Sequence, residues 1–344
     1  MVIPVTRTGD GPPWRNRKAA NTSAAYGNPV QRYPASWVQA VARGIRPDRP
    51  NSQPALQRDS QAASNGRWAI RGVGMRTAIT RCFLLILLLA CATIGASQSS
   101  YKVISVTDGG TISGTVKWAG AVPHALDFPI SKDPQICDPQ GKKTVSLERL
   151  IIGADGGVAN TIVYLKNISA GKALELPEQR RHLDQRHCRY VPHILLVPQK
   201  AELQMQSSDA TLHTIHMDGA ASFNLPFPFT NQITTRNMST PGLVNLRCNG
   251  GHVWMNAEMM VVPHPYYAVT DESGRFEFTS VPPGTYQIVA WHEGWGLAGR
   301  EQAFDVLTER AVQRPVFTEP KTWEKSITVN ANQPGTVNFV IGNK

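Results

Sequence analysis

Three residues near position 250 carry side chains that bind soft metal ions. Cys248, His252 and Met255 form the series Cys-x3-His-x2-Met, and His213 precedes Cys248 by about 35 residues. Together they offer a thiolate, two imidazoles and a thioether, a donor set that favours copper. The alternative is that His213 is an ordinary turn histidine and Met255 a core methionine of the next strand.

Two strands are needed to hold this loop. Residues 243–248 (LVNLRC) and 256–262 (NAEMMVV) both read as strands, so the loop between them delivers Cys248, His252 and Met255 to one end of a sheet. His213 has to come from a different turn, and it follows Ser208-Asp209. Loops on a rigid β scaffold hold such ligands in place, and the sequence therefore predicts one metal site here.

Residues 186–262 resemble the cupredoxins. The features occur in the order of that family: Tyr190-Val-Pro192 leads a strand, His213 follows a turn, and a Cys–His–Met loop comes last. The resemblance implies a Greek-key sandwich with one mononuclear type 1 copper ion, in which His213, Cys248 and His252 are the trigonal ligands and Met255 the weak axial one. It also implies one-electron transfer, with another redox protein as the partner.

Two departures from the cupredoxin pattern affect the expected site. The short spacing between His252 and Met255 is closer to the dinuclear copper domain of cytochrome oxidase, but Val244 stands where that domain has a second cysteine, so one ion is expected. Thr214 follows the first histidine where cupredoxins often have asparagine. Its hydroxyl is expected to hydrogen-bond near the ligands.

A second resemblance covers residues 270–293 (TDESGRFEFTSVPPGTYQIVAWHE), which look like the carboxypeptidase regulatory-like, transthyretin-like sandwich. That family's opening strand matches residues 110–116 (GTISGTV), and residues 156–165 suit a later strand. The resemblance implies an accessory β domain. The chain has no His-Glu-x-x-His, His-x-x-Glu or Gly-x-Ser-x-Gly motif, so no peptidase, and no enzyme of another kind, is predicted.

The two resemblances predict an all-β chain. A cupredoxin sandwich of residues 171–263 is inserted in, or lies adjacent to, a carboxypeptidase regulatory-like sandwich made of residues 101–170 and 264–344. Short alternating strands between Gly/Pro turns favour this fold class throughout. A tandem arrangement is the alternative, and residues 174–185 are expected to be a linker or a short helix.

The excess of positive charge lies in the first part of the chain. The formal net charge is +10, and residues 1–74 carry eleven Lys/Arg and three Asp. From Ser97 onward, 22 basic residues balance 22 acidic ones, so no nucleic-acid partner is predicted. Residues 1–74 lack apolar periodicity and are expected to be disordered, or to be an over-extended start that is not part of the protein.

Residues 75–97 have the layout of a secretory signal peptide. Arg76 and Arg81 precede an apolar run (CFLLILLLA), and small residues follow it. The run is short for a bilayer span, so the mature chain is expected to be periplasmic or secreted, without a membrane span. Residues 88–91 (LLAC) approximate a lipoprotein cleavage box, which leaves a lipid anchor at Cys91 as the alternative to cleavage after Ala96 or Ser97.

Three cysteines remain after an ordinary cleavage: Cys137, Cys188 and Cys248. In an oxidising compartment two of three can pair. If copper holds Cys248 as a thiolate, Cys137 and Cys188 are expected to form a disulfide; the alternative is a free thiol.

Other histidines and one tryptophan remain to be placed. His193, His264 and His292 are expected to be satisfied structural histidines, with a second metal site as the alternative, and His216 is expected to be exposed or hydrogen-bonded. Trp254 is expected to shield the metal or to contact a partner. Two other functions stay open for the chain. One is copper storage, delivery or sensing without electron transfer, and the other is a structural or adhesive surface role with a degenerate copper loop.

Overall fold

The computed structural model describes residues 101–124, 126–175, 181–305 and 308–342. The predicted extension of residues 1–74, the signal peptide of residues 75–97 and the anchor position Cys91 lie outside these ranges. Within them the chain is built from strands with one four-residue helix, so the predicted all-β class is confirmed. No helix in the described part is long and apolar enough to span a bilayer.

One sandwich, called the outer sandwich, takes its strands from both ends of the described chain. Its strands are β2 Gly110–Ala119, β5 Ile162–Lys166, β16 Tyr267–Val269, β17 Arg275–Val281, β18 Gly284–His292, β21 Lys321–Val329, β22 Pro334–Thr336 and β23 Phe339–Gly342. The first sheet of this sandwich has the order β16-β5-β18-β21, and in the second sheet β2 pairs with β17, β22 and β23.

A second sandwich, called the inner sandwich, lies between these segments in the sequence. Its strands are β7 His182–Gln185, β8 Tyr190–Val191, β9 Ile194–Pro198, β10 Glu202–Ser207, β11 His213–Gly219, β12 Phe223–Phe227, β13 Gln232–Asn237, β14 Gly242–Arg247 and β15 Asn256–Val262. The two sheets of this sandwich have the orders β13-β10-β7-β8 and β12-β11-β14-β15-β9. Residues 182–185, expected in a linker or short helix, form a strand because they pair with β10 and bury Leu183.

The remaining elements are short or flank the inner sandwich. A segment called the cap, residues 127–146, contains β3 Asp127–Pro129, the helix α1 Pro134–Cys137 and β4 Thr144–Ser146. The hairpin consists of β19 Leu297–Asp305 and β20 Arg310–Phe317, and β1 Lys102–Val103 pairs with β6 Ala170–Gly171.

Alternating apolar residues explain how the sheets face their cores. In β17 Phe276 and Phe278 are buried while Arg275, Glu277 and Thr279 are exposed, which is the pattern of a strand with one face in the core and one in water. In β18 the last five residues are all buried, since Trp291 packs with Ile194 and Val262 of the inner sandwich. This apolar seam joins the two sandwiches.

Candidate metal centre

The inner sandwich brings the predicted ligands to one end of a sheet. His213 is the first residue of β11, Cys248 directly follows β14, and β15 begins at Asn256. β11 and β14 are antiparallel, with His216 opposite Arg247, so the start of β11 meets the end of β14. The strand pairing therefore places His213 against the loop of residues 248–255.

Three of the four predicted ligands converge on one point. The Nδ1 atoms of His213 and His252 each lie 4.0 Å from Cys248 Sγ, and the ligand atoms of these residues lie within 4.8 Å of one another. Metal–nitrogen bonds of about 2.0 Å and metal–sulfur bonds of about 2.3 Å at trigonal angles separate N from S by about 3.7 Å. The three side chains therefore fit one metal ion, and all are fully buried.

Met255 lies in the same buried apolar cluster as Cys248 and Trp254. Its backbone N–H donates to His252 O at 3.0 Å, which closes the turn between the two residues. The thioether is 2% exposed and so is shielded from water. Its role as an axial ligand stays a prediction.

The sulfur of Cys248 is surrounded by hydrogen-bond donors. The backbone N–H groups of Thr214 and Gly250 donate to it at 3.4 and 3.3 Å, and Asn249 N–H donates to Thr214 Oγ1 at 2.6 Å. Burial raises the pKa of the thiol, but hydrogen bonds with His213 and His252 outweigh it and hold that pKa well below its usual range. The site thus stabilises a thiolate, the form of cysteine that binds metals.

Two glycines allow the loop to come this close to its surroundings. A Cβ at Gly250 would lie 2.9 Å from Leu212 O and 3.3 Å from Cys248 Sγ. Gly251 has a φ of +89°, and a Cβ there would lie 2.6 Å from the Asp305 carboxylate. The pair is required by the left-handed backbone and by the close approach.

Each ligand imidazole also contacts a carboxylate through its outer nitrogen. His213 Nε2 lies 2.9 Å from Asp209 Oδ2, and His252 Nε2 lies 3.0 Å from Asp133 Oδ2. Metal-binding histidines commonly donate their second N–H to a carboxylate, which fixes the tautomer and the ring orientation. Both Nδ1 atoms are thereby left to face Cys248.

The carboxylates change the acid–base behaviour of the site. Burial lowers the pKa of His213, but hydrogen bonds with Asp209 and Cys248 outweigh burial and raise that pKa to about 9. The hydrogen bond with His252 lowers the pKa of Asp133 to about 2. Sequence reasoning predicted neither carboxylate; only the four-residue spacing of Asp209 and His213 could have suggested one.

A disulfide lies beside the outer edges of the histidines. Cys137 and Cys188 are bonded, so the predicted disulfide is confirmed, and Cys248 is a free buried cysteine. The two sulfur atoms lie within 4.8 Å of a ring nitrogen of His252. Trp254 donates from Nε1 to Cys188 O at 3.1 Å and packs edge-on against His252. Together these groups shield the site from solvent.

Two basic side chains fix the backbone of the ligand loop from outside the inner sandwich. Lys132 of the cap donates to Gly250 O at 2.7 Å and pairs with Asp305 of the hairpin at the same distance. Arg314, also in the hairpin, donates to Cys248 O at 3.1 Å and to Asn249 Oδ1 at 2.9 Å. The loop is therefore held by elements from three parts of the chain.

The other histidines lie away from this centre. His193 Nε2 bonds to Glu293 Oε1, His292 Nδ1 contacts Glu293 O at 2.8 Å, and the ring of His264 packs between tyrosines. His216 Nε2 lies 3.0 Å from Arg247. Among the described residues, every group of three side chains close enough to hold a metal includes His213 or His252.

Comparison with protein families gives one match. The model of the BOS complex subunit NOMO1-like family, second beta sandwich domain, matches residues 265–316. This segment runs from β16 to the end of β20 and covers well under half of the chain. No curated protein sequence matches the chain.

Solved structures similar to part of the chain include copper proteins. A Cu-containing nitrite reductase from Thermus scotoductus SA-01 is 19% identical with a TM-score of 0.23, over 26% of this chain and 24% of the reductase. A purple cupredoxin from Nitrosopumilus maritimus is 17% identical with a TM-score of 0.21, over 24% of this chain and 98% of its own. An oxidised amicyanin mutant is 19% identical with a TM-score of 0.23, over 26% and 89%. Because these TM-scores are low, the solved structures carry no argument about the site. Its description rests on the distances between its own side chains.

Proposed function

We propose that the chain binds one copper ion between His213, Cys248 and His252, with Met255 as a weak axial ligand, and exchanges single electrons with another redox protein. The convergence of two Nδ1 atoms on one buried thiolate carries this proposal. Such a donor set is typical of blue-copper electron-transfer sites. Bound copper would supply the one-electron step between Cu(I) and Cu(II), without turnover of a substrate.

The protein's own groups suit this role. Thr214 N–H and Gly250 N–H spread the charge of the thiolate, and the pairing of β11 with β14 holds His213 and Cys248 in register. A loop fixed at several points changes little when the charge at its centre changes. Rapid electron exchange requires such rigidity of the ligands.

The disulfide supports an oxidising location for the protein. A disulfide forms and persists in oxidising compartments, and Cys137–Cys188 is present. We therefore place the protein in the periplasm or outside the cell.

Copper storage or delivery is the second candidate, and one observation favours it. His213 and His252 are fully buried, and carboxylates bind their outer nitrogens. No ligand edge therefore faces solvent, where a redox partner would contact it. A storage site, which holds its ion without passing electrons to a partner, does not need an exposed ligand edge.

The experiment is a titration of the purified protein with Cu(II), followed by visible absorption. We expect an intense thiolate-to-copper band near 600 nm, roughly as for blue-copper sites. Cys248→Ser should abolish the band, and His213→Gln should abolish or strongly shift it. His216→Gln, on the same strand with its ring against Arg247, is the matched control and should leave the band unchanged.

Each other result has a separate meaning. Tight Cu(I) binding without the band would replace electron transfer by copper storage or delivery. Absence of copper binding in either oxidation state would contradict both proposals and favour a structural or adhesive role.

A further inference from the structure

Asp133 lies in the cap, outside the inner sandwich that supplies the metal ligands. It directly precedes α1, at the N-cap position of that helix. An aspartate there normally accepts a backbone N–H of the first helical turn. The Asp133 side chain makes no such bond.

The carboxylate instead binds the inner sandwich. It accepts hydrogen bonds from Thr211 Oγ1 at 2.7 Å and from His252 Nε2 at 3.0 Å. The backbone of Asp133 is left-handed, with φ 47° and ψ 48°, a conformation that aspartate and asparagine adopt more readily than most residues other than glycine. The Asp133 side chain therefore contacts His252, in the loop of residues 248–255, and does not bond to the first turn of its own helix.

Neighbouring residues of the cap bind the inner sandwich at the same place. Lys132 donates to Gly250 O, and Cys137 at the end of α1 is bonded to Cys188. The position of Asp133 is therefore fixed from both sides in the sequence. A carboxylate held in this way can keep the proton of His252 on Nε2 and leave the Nδ1 lone pair for the metal.

We propose that Asp133 is a positioning residue that completes the copper site from outside the metal-binding sandwich, orienting His252 and stabilising Cu(II) over Cu(I) through its charge. The inference rests on the proposed copper site. Asp209 makes the equivalent contact with His213, but it also accepts the backbone N–H groups of His187 and Cys188. Replacement of Asp133 therefore removes one other hydrogen bond, from Thr211, and leaves the backbone N–H partners of Asp209 untouched.

The test compares Asp133→Asn and Asp133→Ala with the unaltered full-length protein. Loss of a carboxylate behind a ligand histidine costs at least about tenfold in metal affinity. If this loss falls on Cu(II), the reduction potential rises by about 59 mV for each factor of ten. Both variants should show this rise, because both remove the charge. Thr211→Val removes the other hydrogen bond of the same carboxylate and should leave the potential unchanged.

A second measurement does not require copper. Imidazole ¹⁵N shifts of His252 in the metal-free protein carrying Cys248→Ala report which nitrogen holds the proton, because this background lacks the thiolate to which Nδ1–H would donate. In this background we expect Nε2–H with Asp133 and with Asp133→Asn, whose amide oxygen still accepts, and a mixture of tautomers with Asp133→Ala.

The two readouts separate this inference from the proposed function. Unchanged His252 shifts in a folded Asp133→Ala protein would overturn the positioning role even if the blue band is present. If the protein binds no copper, the proposed function fails, while the ¹⁵N shifts still decide whether Asp133 orients His252. An equal change of potential in Thr211→Val would mean that Asp133 acts only by holding the cap.

Discussion

At the scale of single residues, the centre is a thiolate placed between two imidazoles whose outer nitrogens are already bound. Cys248 receives two backbone N–H groups, and His213 and His252 each contact a carboxylate. The ring orientations are therefore set by the protein and not by a metal. Preorganisation of this kind lowers the rearrangement that binding or a change of charge would require.

Met255→Leu tests the predicted axial ligand. The substitution conserves volume in a well-packed core and should cost less than about 1.5 kcal/mol of stability. A thioether donates weakly to Cu(II), so its loss should destabilise Cu(II) and raise the reduction potential while the visible band is kept. Potentiometric titration measures the shift. An unchanged potential would identify Met255 as a core methionine only.

Spacing along the chain was enough to predict part of the centre. Cys248 and His252 lie in one loop, and a turn before a strand marked His213, so local patterns carried this information. Asp133 lies 119 residues from His252, and no periodicity or motif links them. Contacts of that kind arise only from tertiary packing, which is why the carboxylate behind His252 could not be predicted.

At the scale of elements, the cap and the hairpin cover the ligand loop. Lys132 and Arg314 bind its backbone carbonyls, and the disulfide of Cys137 and Cys188 ties the cap covalently to the inner sandwich. Apolar residues of the cap, such as Phe128 and Val145, belong to the same core cluster as Cys248. The cap is therefore part of the inner core and not a loose cover.

Replacement of both disulfide cysteines by serine should loosen this cover. The cysteines are 51 residues apart, and the loop-entropy model gives about 4 kcal/mol for closing such a loop. We expect a loss of that order in urea unfolding and faster alkylation of Cys248 in the metal-free protein. Ile288→Ala in the outer core is the control for instability alone, at about 2–5 kcal/mol. Equal acceleration of alkylation in that control would show that the cap does not protect the thiol.

At the scale of the whole molecule, a buried polar cluster accompanies the apolar seam between the sandwiches. Arg149 pairs with Glu293 at 2.8 Å, donates to Gly294 O at 2.9 Å, and reaches Asn256 at the start of β15 at 2.9 Å. Burial raises the pKa of Glu293, but His193 and Arg149 outweigh it and lower that pKa. One guanidinium thus joins residues of both sandwiches.

Arg149→Met should destabilise the protein strongly. The arginine is 7% exposed and Glu293 is fully buried, so the variant leaves a buried carboxylate without its guanidinium and with the His193 imidazole as its remaining partner. Removal of one partner of a buried ion pair costs about 3–5 kcal/mol. Chemical denaturation of the variant would measure this loss in the free energy of unfolding. Lys166→Met breaks an ion pair that is nearly half exposed and should cost no more than about 1 kcal/mol. Similar losses in both variants would argue against a structural role for Arg149.

The sequence allowed the all-β class to be predicted because the alternation of apolar residues is a local signal. The strand of residues 275–278 was recognisable in this way and occurs as part of β17, and Pro282-Pro-Gly284 leads into β18 with a bend at Pro283. Residues 182–185 were not recognised as a strand. Their polar surroundings suggested a linker, and only pairing with β10 makes the segment extended.

The pairing of β2 with β23 joins the two ends of the described chain. Val116 lies beside Phe339, and Thr115 N–H donates to Asn338 Oδ1 across 223 positions of sequence. All strands of the inner sandwich lie between residues 182 and 262, so that sandwich is complete at a point of the sequence where the outer one still lacks its closing strand. Bringing such distant segments together is slow, because a long loop has to be closed. The loop of residues 248–255 therefore lies on a sandwich whose strands all precede Arg314, which binds the loop backbone, and β23, which closes the outer sandwich.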